Sequence, residues 1–191
     1  MRRVVVAYSG GLDSTFLLKS AIDALGAESV LAVTARSETY PISEYKEAVA
    51  VAGALGARHY AMRTSELGIR NFKENPVNRC YYCKKELFKK LTAIAQKRKM
   101  CYVLDGTNRD DLGDVRYGRL AAKEFGIKSP LLDAGITKDE VRAFSRKLGL
   151  PTWDKPSMAC LASRIPFHTR ITAQNLQRVG LAEDALKKLG F

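Results

Sequence analysis

No apolar run in this chain approaches the roughly 20 residues needed to cross a bilayer, and no signal-peptide pattern opens it. Those absences argue against a membrane-spanning or secreted protein and lead us to expect a soluble, cytoplasmic one. Low-complexity segments and internal repeats are also missing, which removes flexible arrays and solenoids. Histidine is scarce, two in 191 residues. His59 falls in a strand pattern, and only His168 lies near a cysteine, so a closed structural zinc site lacks a fourth ligand. What is present suits one full domain, or one domain with a short extension: 46% of the residues are hydrophobic, enough for a real core. The formal net charge is +12, yet the basic residues are spread through helical patterns. Solvated helix faces and anionic small substrates account for that charge about as well as RNA does, so nucleic acid is a disfavoured but open partner.

The chain is organised around Ser9-Gly10-Gly11-Leu12-Asp13-Ser14-Thr15. A β-branched apolar run, Val4 to Ala7, leads in, and an amphipathic helical pattern, Thr15 to Leu25, leads out. A strand, a glycine turn and a helix start together make an anion site. Glycines let the backbone approach phosphate, and the unpaired N–H groups of the helix start point at it. The hydroxyls of Ser9, Ser14 and Thr15 add donors, and Asp13 is a carboxylate where a phosphate-bound Mg²⁺ needs one. No lysine follows the glycines, so this is not a Walker loop. The pattern S-G-G-x-D-S resembles the PP-loop of the ATP pyrophosphatase superfamily. That resemblance implies ATP bound by its β,γ-pyrophosphate, cleavage between the α and β phosphates, and adenylation of a substrate.

Alternating strand and helix patterns predict a doubly wound parallel α/β sheet of about five strands. Val30 to Thr34 reads as the second strand, Ser43 to Leu55 as a helix capped by Ser43, and His59 to Met62 as the third strand. Ligands in such sheets sit beyond the carboxyl ends of the strands, so Thr34 to Arg36, following the second strand, are expected beside the adenine. A polar loop, Thr64 to Arg79, gives way to a basic helix running to about Lys99. Tyr102 to Asp105 is the fourth strand, and Gly106-Thr107-Asn108 follows it at the ligand edge, with Gly106 permitting close approach. Asp110 and Asp111 can hold metal, cap a helix, or pair with Arg109 or Arg116. Arg119 to Phe125 reads as a helix, Ser129 to Leu132 as a short fifth strand, and Thr137 to Leu148 as a helix with a Thr137–Glu140 capping box. We divide the chain into an ATP-binding domain, 1–150, and a cysteine-bearing loop with a terminal helix, 151–191. Thr172 caps that helix, whose apolar face suggests docking on the core, a partner subunit or a continuation; a homo-oligomer is expected.

Cys80 and Cys83 form a C-x-x-C pair, a spacing that serves metal centres, redox sites and structural zinc alike. Cys80 follows the third strand and Cys160 the fifth, so both belong at the nucleotide's edge. Cys101 opens the fourth strand, roughly 13 Å away at the opposite edge, and reads as a packed apolar residue. Three thiolates suit a [4Fe-4S] cluster with one iron open to an external ligand. Arg79, Lys84 and Lys85 are expected to lower the thiol pKa values. A reactive C-x-x-C unrelated to a packed Cys160 is the plainer alternative.

Together these motifs resemble the LarE family of PP-loop sulfur transferases. The likeness runs over nearly the whole chain, on Ser9–Thr15, Asn78–Lys85, Asp105–Asp111 with Arg116, and Pro156–Pro166, where Ala159-Cys160-Leu161-Ala162-Ser163-Arg164 is most specific. The resemblance implies adenylation of pyridinium-3,5-biscarboxylic acid mononucleotide and replacement of AMP by sulfur, for a nickel-pincer nucleotide cofactor used by lactate racemase. It implies that Ser9, Gly10, Gly11, Asp13, Ser14 and Thr15 hold pyrophosphate and Mg²⁺, and that Lys84 or Lys85, with Ser163 and Arg164, steady phosphates or the acyl adenylate. Some members sacrifice the sulfur of the cysteine matching Cys160, leaving dehydroalanine. Others carry three cysteines and a [4Fe-4S] cluster, and Cys80, Cys83 and Cys160 place this chain with them, fed by sulfide or a cysteine desulfurase. Family members continue past Leu189-Gly190-Phe191 into a small α/β domain, where this sequence stops. Thiolation of tRNA and a non-catalytic nucleotide-binding module are the competing functions; no paired zinc C-x-x-C motifs or appended RNA-binding domain favour the former.

Overall fold

A computed structural model of the chain describes residues 3–113 and 117–190. Four parallel strands form one sheet in the order β3-β2-β1-β4: β1 (Val4–Ala7), β2 (Val30–Arg36), β3 (Arg58–Arg63) and β4 (Tyr102–Leu104). Val4 of β1 sits opposite Val30 of β2 on one side and Tyr102 of β4 on the other. β1 is therefore central, covered on both faces, and reads as a continuous apolar run for that reason. Alternation along it divides the core. Val4 and Val6 meet Leu12, Leu17 and Leu18 of α1 (Leu12–Leu25), Ala48 and Ala52 of α2 (Ile42–Ala54), and Val141 farther along the chain. Val5 faces the other way, against Phe88 and Leu91 of α4 (Arg79–Lys97).

The chain steps outward from β1 to β2 to β3, then returns to place β4 on the far side of β1. That reversal opens a crevice at the carboxyl ends of β1 and β4, where a doubly wound sheet receives its ligand. The loops Tyr8–Gly11 and Asp105–Asn108 flank it.

Several expected boundaries move. α1 begins at Leu12 rather than Thr15, with Gly11 as N-cap and the Thr15 N–H donating to the Gly11 carbonyl at 3.0 Å. Asp13 and Ser14 thus belong to the first helical turn. β2 extends through Arg36, so Thr34 and Arg36 lie in the strand and not beyond it. α2 starts after Pro41, and Ser43 is inside it rather than capping it. The polar loop carries a 3₁₀ turn, Glu66–Gly68, and a single-turn helix α3 (Arg70–Lys73). α5 (Gly118–Glu124) follows β4 on the α4 side.

The fifth strand is absent from the described sheet. Only an isolated parallel bridge joins Leu104 to Lys128, and then Pro130 opens the short helix α6 (Pro130–Asp133). Proline cannot donate to a ladder, and its fixed φ suits the first helical position. α7 (Lys138–Lys147) has the expected Thr137–Glu140 capping box. The last helix, α8 (Ala173–Lys188), is capped by Thr172, whose Oγ1 accepts from the Asn175 N–H at 3.1 Å. Its Leu176 joins Leu161, Ala162, Ile165 and Ile171 in a third apolar cluster built on Phe72 of α3.

Candidate functional site

The glycine turn packs tightly enough to dictate its residues. Gly10 has φ 67°, and a Cβ there would lie 2.5 Å from the Ala48 Cβ and 2.9 Å from its Cα. Opposite, a Cβ on Gly106 would come within 3.1 Å of the Ser14 backbone nitrogen, so the β4 loop is pressed onto the head of α1. Within the turn, the Ser9 N–H donates to Ser14 Oγ at 3.2 Å, the Ser9 and Ser14 hydroxyls bond at 3.1 Å, and Ser14 Oγ donates to the Gly11 carbonyl at 3.1 Å. Thr15 is fully buried. Thr107 Oγ1 donates to Asp105 at 3.0 Å, and Ser129 Oγ donates to the same carboxylate at 2.7 Å, which fixes the β4 loop. Thr34 is buried and bonded to His59 Nε2 at 2.9 Å, while Arg36 rests over the Tyr45 ring at 5.5 Å.

Asp13 is the meeting point of three segments. Asn108 Nδ2 donates to its Oδ1 at 3.0 Å, and Lys138 Nζ, from the first turn of α7, forms an ion pair with its Oδ2. Lys138 also places its backbone N–H on Asp110 at 2.7 Å. Asp111 closes a capping box with Asn108, so these two acids are helix-cap and loop-bracing groups here. Lys138 was not singled out from the sequence, because its approach to Asp13 depends on α7 packing against α1. The one local signal was its place immediately after the Thr137 cap. Arg116 lies outside the described residues.

Cys80 and Cys83 sit in the first two turns of α4, and Cys160 is the N-cap of a 3₁₀ turn, Leu161–Arg164. Cys83 is half-buried; Cys80 and Cys160 are exposed. Burial pushes the Cys83 thiol up to about 12, with Glu66 adding to the rise, Lys84 opposing it, and the Cys160 and Cys80 sulfurs adding smaller like-charge contributions. Cys160 is likewise raised by desolvation and by Cys80, against the opposing Arg79. The expected lowering of the thiol pKa values does not hold for Cys83 and Cys160, since desolvation outweighs the nearby cations. Among the described residues no three acids, thiols or imidazoles converge as a ready metal site. In chemistry the donor set fits: a coordinating metal removes the proton from a thiol outright. Cys101, expected to be packed, is exposed.

The basic residues near the cysteines are engaged with protein. Lys85 Nζ pairs with Glu124 at 2.7 Å and donates to the Tyr81 hydroxyl at 3.1 Å. Lys84 lies along Gly118 and 5.8 Å over the Phe88 ring. Ser163 Oγ donates to the Cys160 carbonyl at 2.7 Å, and Arg164 bridges Ser163 Oγ, at 2.7 Å, to Glu183, at 2.6 Å. These two brace the turn that carries Cys160.

Two hydrogen bonds join the cysteine segment to the glycine turn. The Leu161 N–H donates to the Thr39 carbonyl at 3.0 Å, and the next residue, Tyr40, donates its hydroxyl to the Ser9 carbonyl at 2.7 Å. The residue after Cys160 is thus tied, through one dipeptide, to the first residue of the turn.

A parallel sheet reversing at β1, with a glycine turn and an acid at the head of α1, defines a PP-loop nucleotide-binding protein. The family model of NAD synthase matches residues 1–105. A glutamine-dependent NAD⁺ synthetase from Acinetobacter baumannii, solved with adenosine diphosphate, superposes with a TM-score of 0.62 at 21% identity, over 76% of this chain and 28% of that one. An uncharacterized protein of Synechocystis is 48% identical over 99% of this chain and 70% of its own length. A pyridinium-3,5-bisthiocarboxylic acid mononucleotide synthase of Lactiplantibacillus plantarum is 39% identical over 100% of this chain and 69% of its own. The chain belongs to the LarE family of PP-loop sulfur transferases. No helix of the described residues is long and apolar enough to cross a membrane.

Proposed function

We propose that this protein binds ATP·Mg²⁺ at Ser9–Thr15, adenylates a carboxylate of pyridinium-3,5-biscarboxylic acid mononucleotide, and replaces the AMP with sulfur supplied at Cys80, Cys83 and Cys160. The observation that carries this reading is the tie from Leu161 through Thr39 and Tyr40 to Ser9, which couples the sulfur-bearing turn to the phosphate-binding one. The L. plantarum relative, a pyridinium-3,5-bisthiocarboxylic acid mononucleotide synthase, supports the acceptor. A carboxylate resists attack by sulfur nucleophiles, whereas its mixed anhydride with AMP has a good leaving group. Asp13, paired with Lys138 in this structure, would hold Mg²⁺, and Lys138 would supply a cation beside the pyrophosphate; fixed cations are most effective where charge develops. Cys80, Cys83 and Cys160 would hold a [4Fe-4S] cluster, which supplies transferable sulfide when bound.

Pyrophosphate release from ATP, measured with and without the mononucleotide acceptor, tests the first half. Acceptor-dependent release that is abolished in Asp13→Ala is expected; no release with the competent wild-type protein overturns the reading. Iron and acid-labile sulfide counts on anaerobic protein test the second half. Absence of both after reconstitution, with Cys160 converted to dehydroalanine on turnover, would replace cluster-borne sulfide by sacrifice of the Cys160 sulfur.

A further inference from the structure

Between α3 and the head of α4 lies a pair of buried polar side chains that nucleotide binding does not use. Asn75 is fully buried and holds a left-handed backbone, φ 54°. Its Nδ2 faces three carbonyl oxygens of the segment that follows Cys160: Ile165 at 3.2 Å, Pro166 at 2.8 Å and Thr169 at 3.1 Å. Its own carbonyl accepts from the His168 N–H at 2.9 Å, and two residues earlier the Lys73 carbonyl accepts from the Ile171 N–H at 2.8 Å. One side chain thus laces residues 165–169 to the approach to α4. An aspartate could not do this, because a carboxylate would face carbonyl lone pairs with no proton to offer.

The other end of the Asn75 amide is equally committed. Its Oδ1 accepts from Arg79 Nη1 at 2.6 Å. Arg79 is the residue before Cys80, is only 6% exposed, and lies over the Phe167 ring at 4.8 Å. Among the described residues no carboxylate pairs with it, and its Nε has no hydrogen-bond partner. Removing a guanidinium from water is costly unless something of opposite charge compensates. One neutral amide and one ring face are weak compensation. Arg79 immediately precedes Cys80, and through Asn75 it is bonded to the segment that follows Cys160, so its charge stands between the two cysteine-bearing stretches.

We propose that Asn75 and Arg79 are positioning residues of the sulfur site: Asn75 locks the Cys160-bearing segment onto the C-x-x-C helix, and Arg79 is the fixed counter-charge for anionic sulfur held between them. This rests on the reading of the three cysteines as one sulfur site. The left-handed asparagine and the buried arginine, unpaired with any acid among the described residues, both converge on residues flanking Cys80 and Cys160.

Two assays on the full chain, without ATP, acceptor or iron, test it independently of sulfur transfer. The first bridges thiols with dibromobimane and maps the product by peptide mass. Wild type is expected to give a bridge between Cys160 and the Cys80–Cys83 pair. Asn75→Gly, which keeps the left-handed backbone and removes the lacing, is expected to lower its yield about tenfold while ATP binding is retained. An unchanged yield overturns the locking role. The second compares the rates at which Cys160 reacts with an anionic aromatic disulfide and with a neutral one. Arg79→Met is expected to lower the anionic-to-neutral rate ratio about tenfold, and Arg79→Lys to restore it. Equal slowing of both reagents would mean that Arg79 is only packing, and would overturn the counter-charge. If Asn75→Gly does not fold, the Arg79 ratio alone decides the proposal. Failure of pyrophosphate release would refute the enzymatic reading but leave both results standing.

Discussion

At the scale of single residues, the glycine turn and the half-buried cysteine make the sharpest demands. Gly10→Ala forces a methyl into the Ala48 side chain and backbone and strains a positive φ, so we expect a loss of about 2–4 kcal/mol in urea unfolding, combining backbone strain with overpacking. The measured midpoint should fall with an unchanged slope; a loss below 0.5 kcal/mol, taken as roughly the noise of surface substitutions, would show that α2 moves aside freely. For Cys83, burial raises the pKa to about 12, so the thiolate is a minor species at neutral pH. In metal-free protein we expect Cys83 to alkylate slowest of the cysteines at pH 8, with a rate still climbing at pH 10. A plateau near pH 8 or 9 would contradict the desolvated environment. Lys138 invites a third experiment. Lys138→Met leaves the Asp13 carboxylate without its cation and removes a charge from the phosphate crevice, and we expect pyrophosphate release to fall about 100-fold, the order of one lost electrostatic contact. Unchanged release would place Lys138 in the resting structure only.

At the scale of elements, legibility follows how local each determinant is. The α7 capping box was readable because Thr137 and Glu140 are three residues apart and satisfy each other. Thr137→Ala should cost about 1 kcal/mol, seen as a lower melting temperature with the nucleotide site intact; no shift would mean that α7 is held by packing alone. The strand, glycine turn and helix around Gly10 were readable for the same reason. The segment from Ser129 to Leu132 was not: its apolar residues suit a strand or a helix turn, and the choice falls to Pro130, which starts α6 after a single bridge at Lys128. Contacts distant in sequence were invisible. Nothing local announces that Lys138 meets Asp13 across 125 positions, or that Asn75 reaches the carbonyls beyond Ile165. The acidity of Cys83 and Cys160 was misjudged, since basic neighbours are visible in a sequence and desolvation is not.

At the scale of the whole molecule, the segment carrying Cys160 is held to α2 by an ion network, and elsewhere by apolar contact. Glu44 of α2 pairs with Lys155 at 2.8 Å and with Lys187 of α8 at 3.2 Å, and Lys155 also reaches Glu47 at 2.8 Å. Burial alone would raise the Glu44 pKa, but Lys155 and Lys187 outweigh it and hold the carboxyl below its ordinary 4.5. Burial alone would lower Lys155, but Glu44 and Glu47 hold it above its ordinary 10.5. The signs set a window. A depressed carboxyl contributes its full stability above pH 4.5 and loses it as the pH falls through the folded value. A raised amine contributes fully below 10.5 and loses it as the pH rises through its folded value. The network therefore operates across neutral pH, carried mainly by the mostly buried Lys155–Glu44 pair, with the more exposed Lys187 contributing little. Hydrogen exchange on the amides of 173–188 should be slow and flat, after correction for intrinsic rates, from pH 5 to 9, and protection should fall below pH 4.5. Glu44→Gln should lower protection at pH 7 and flatten the acid step. If the wild-type profile stays flat to pH 3, the apolar cluster of Phe72, Leu161, Ile171 and Leu176 holds the segment unaided, and the ion network is incidental to how it is joined to α2.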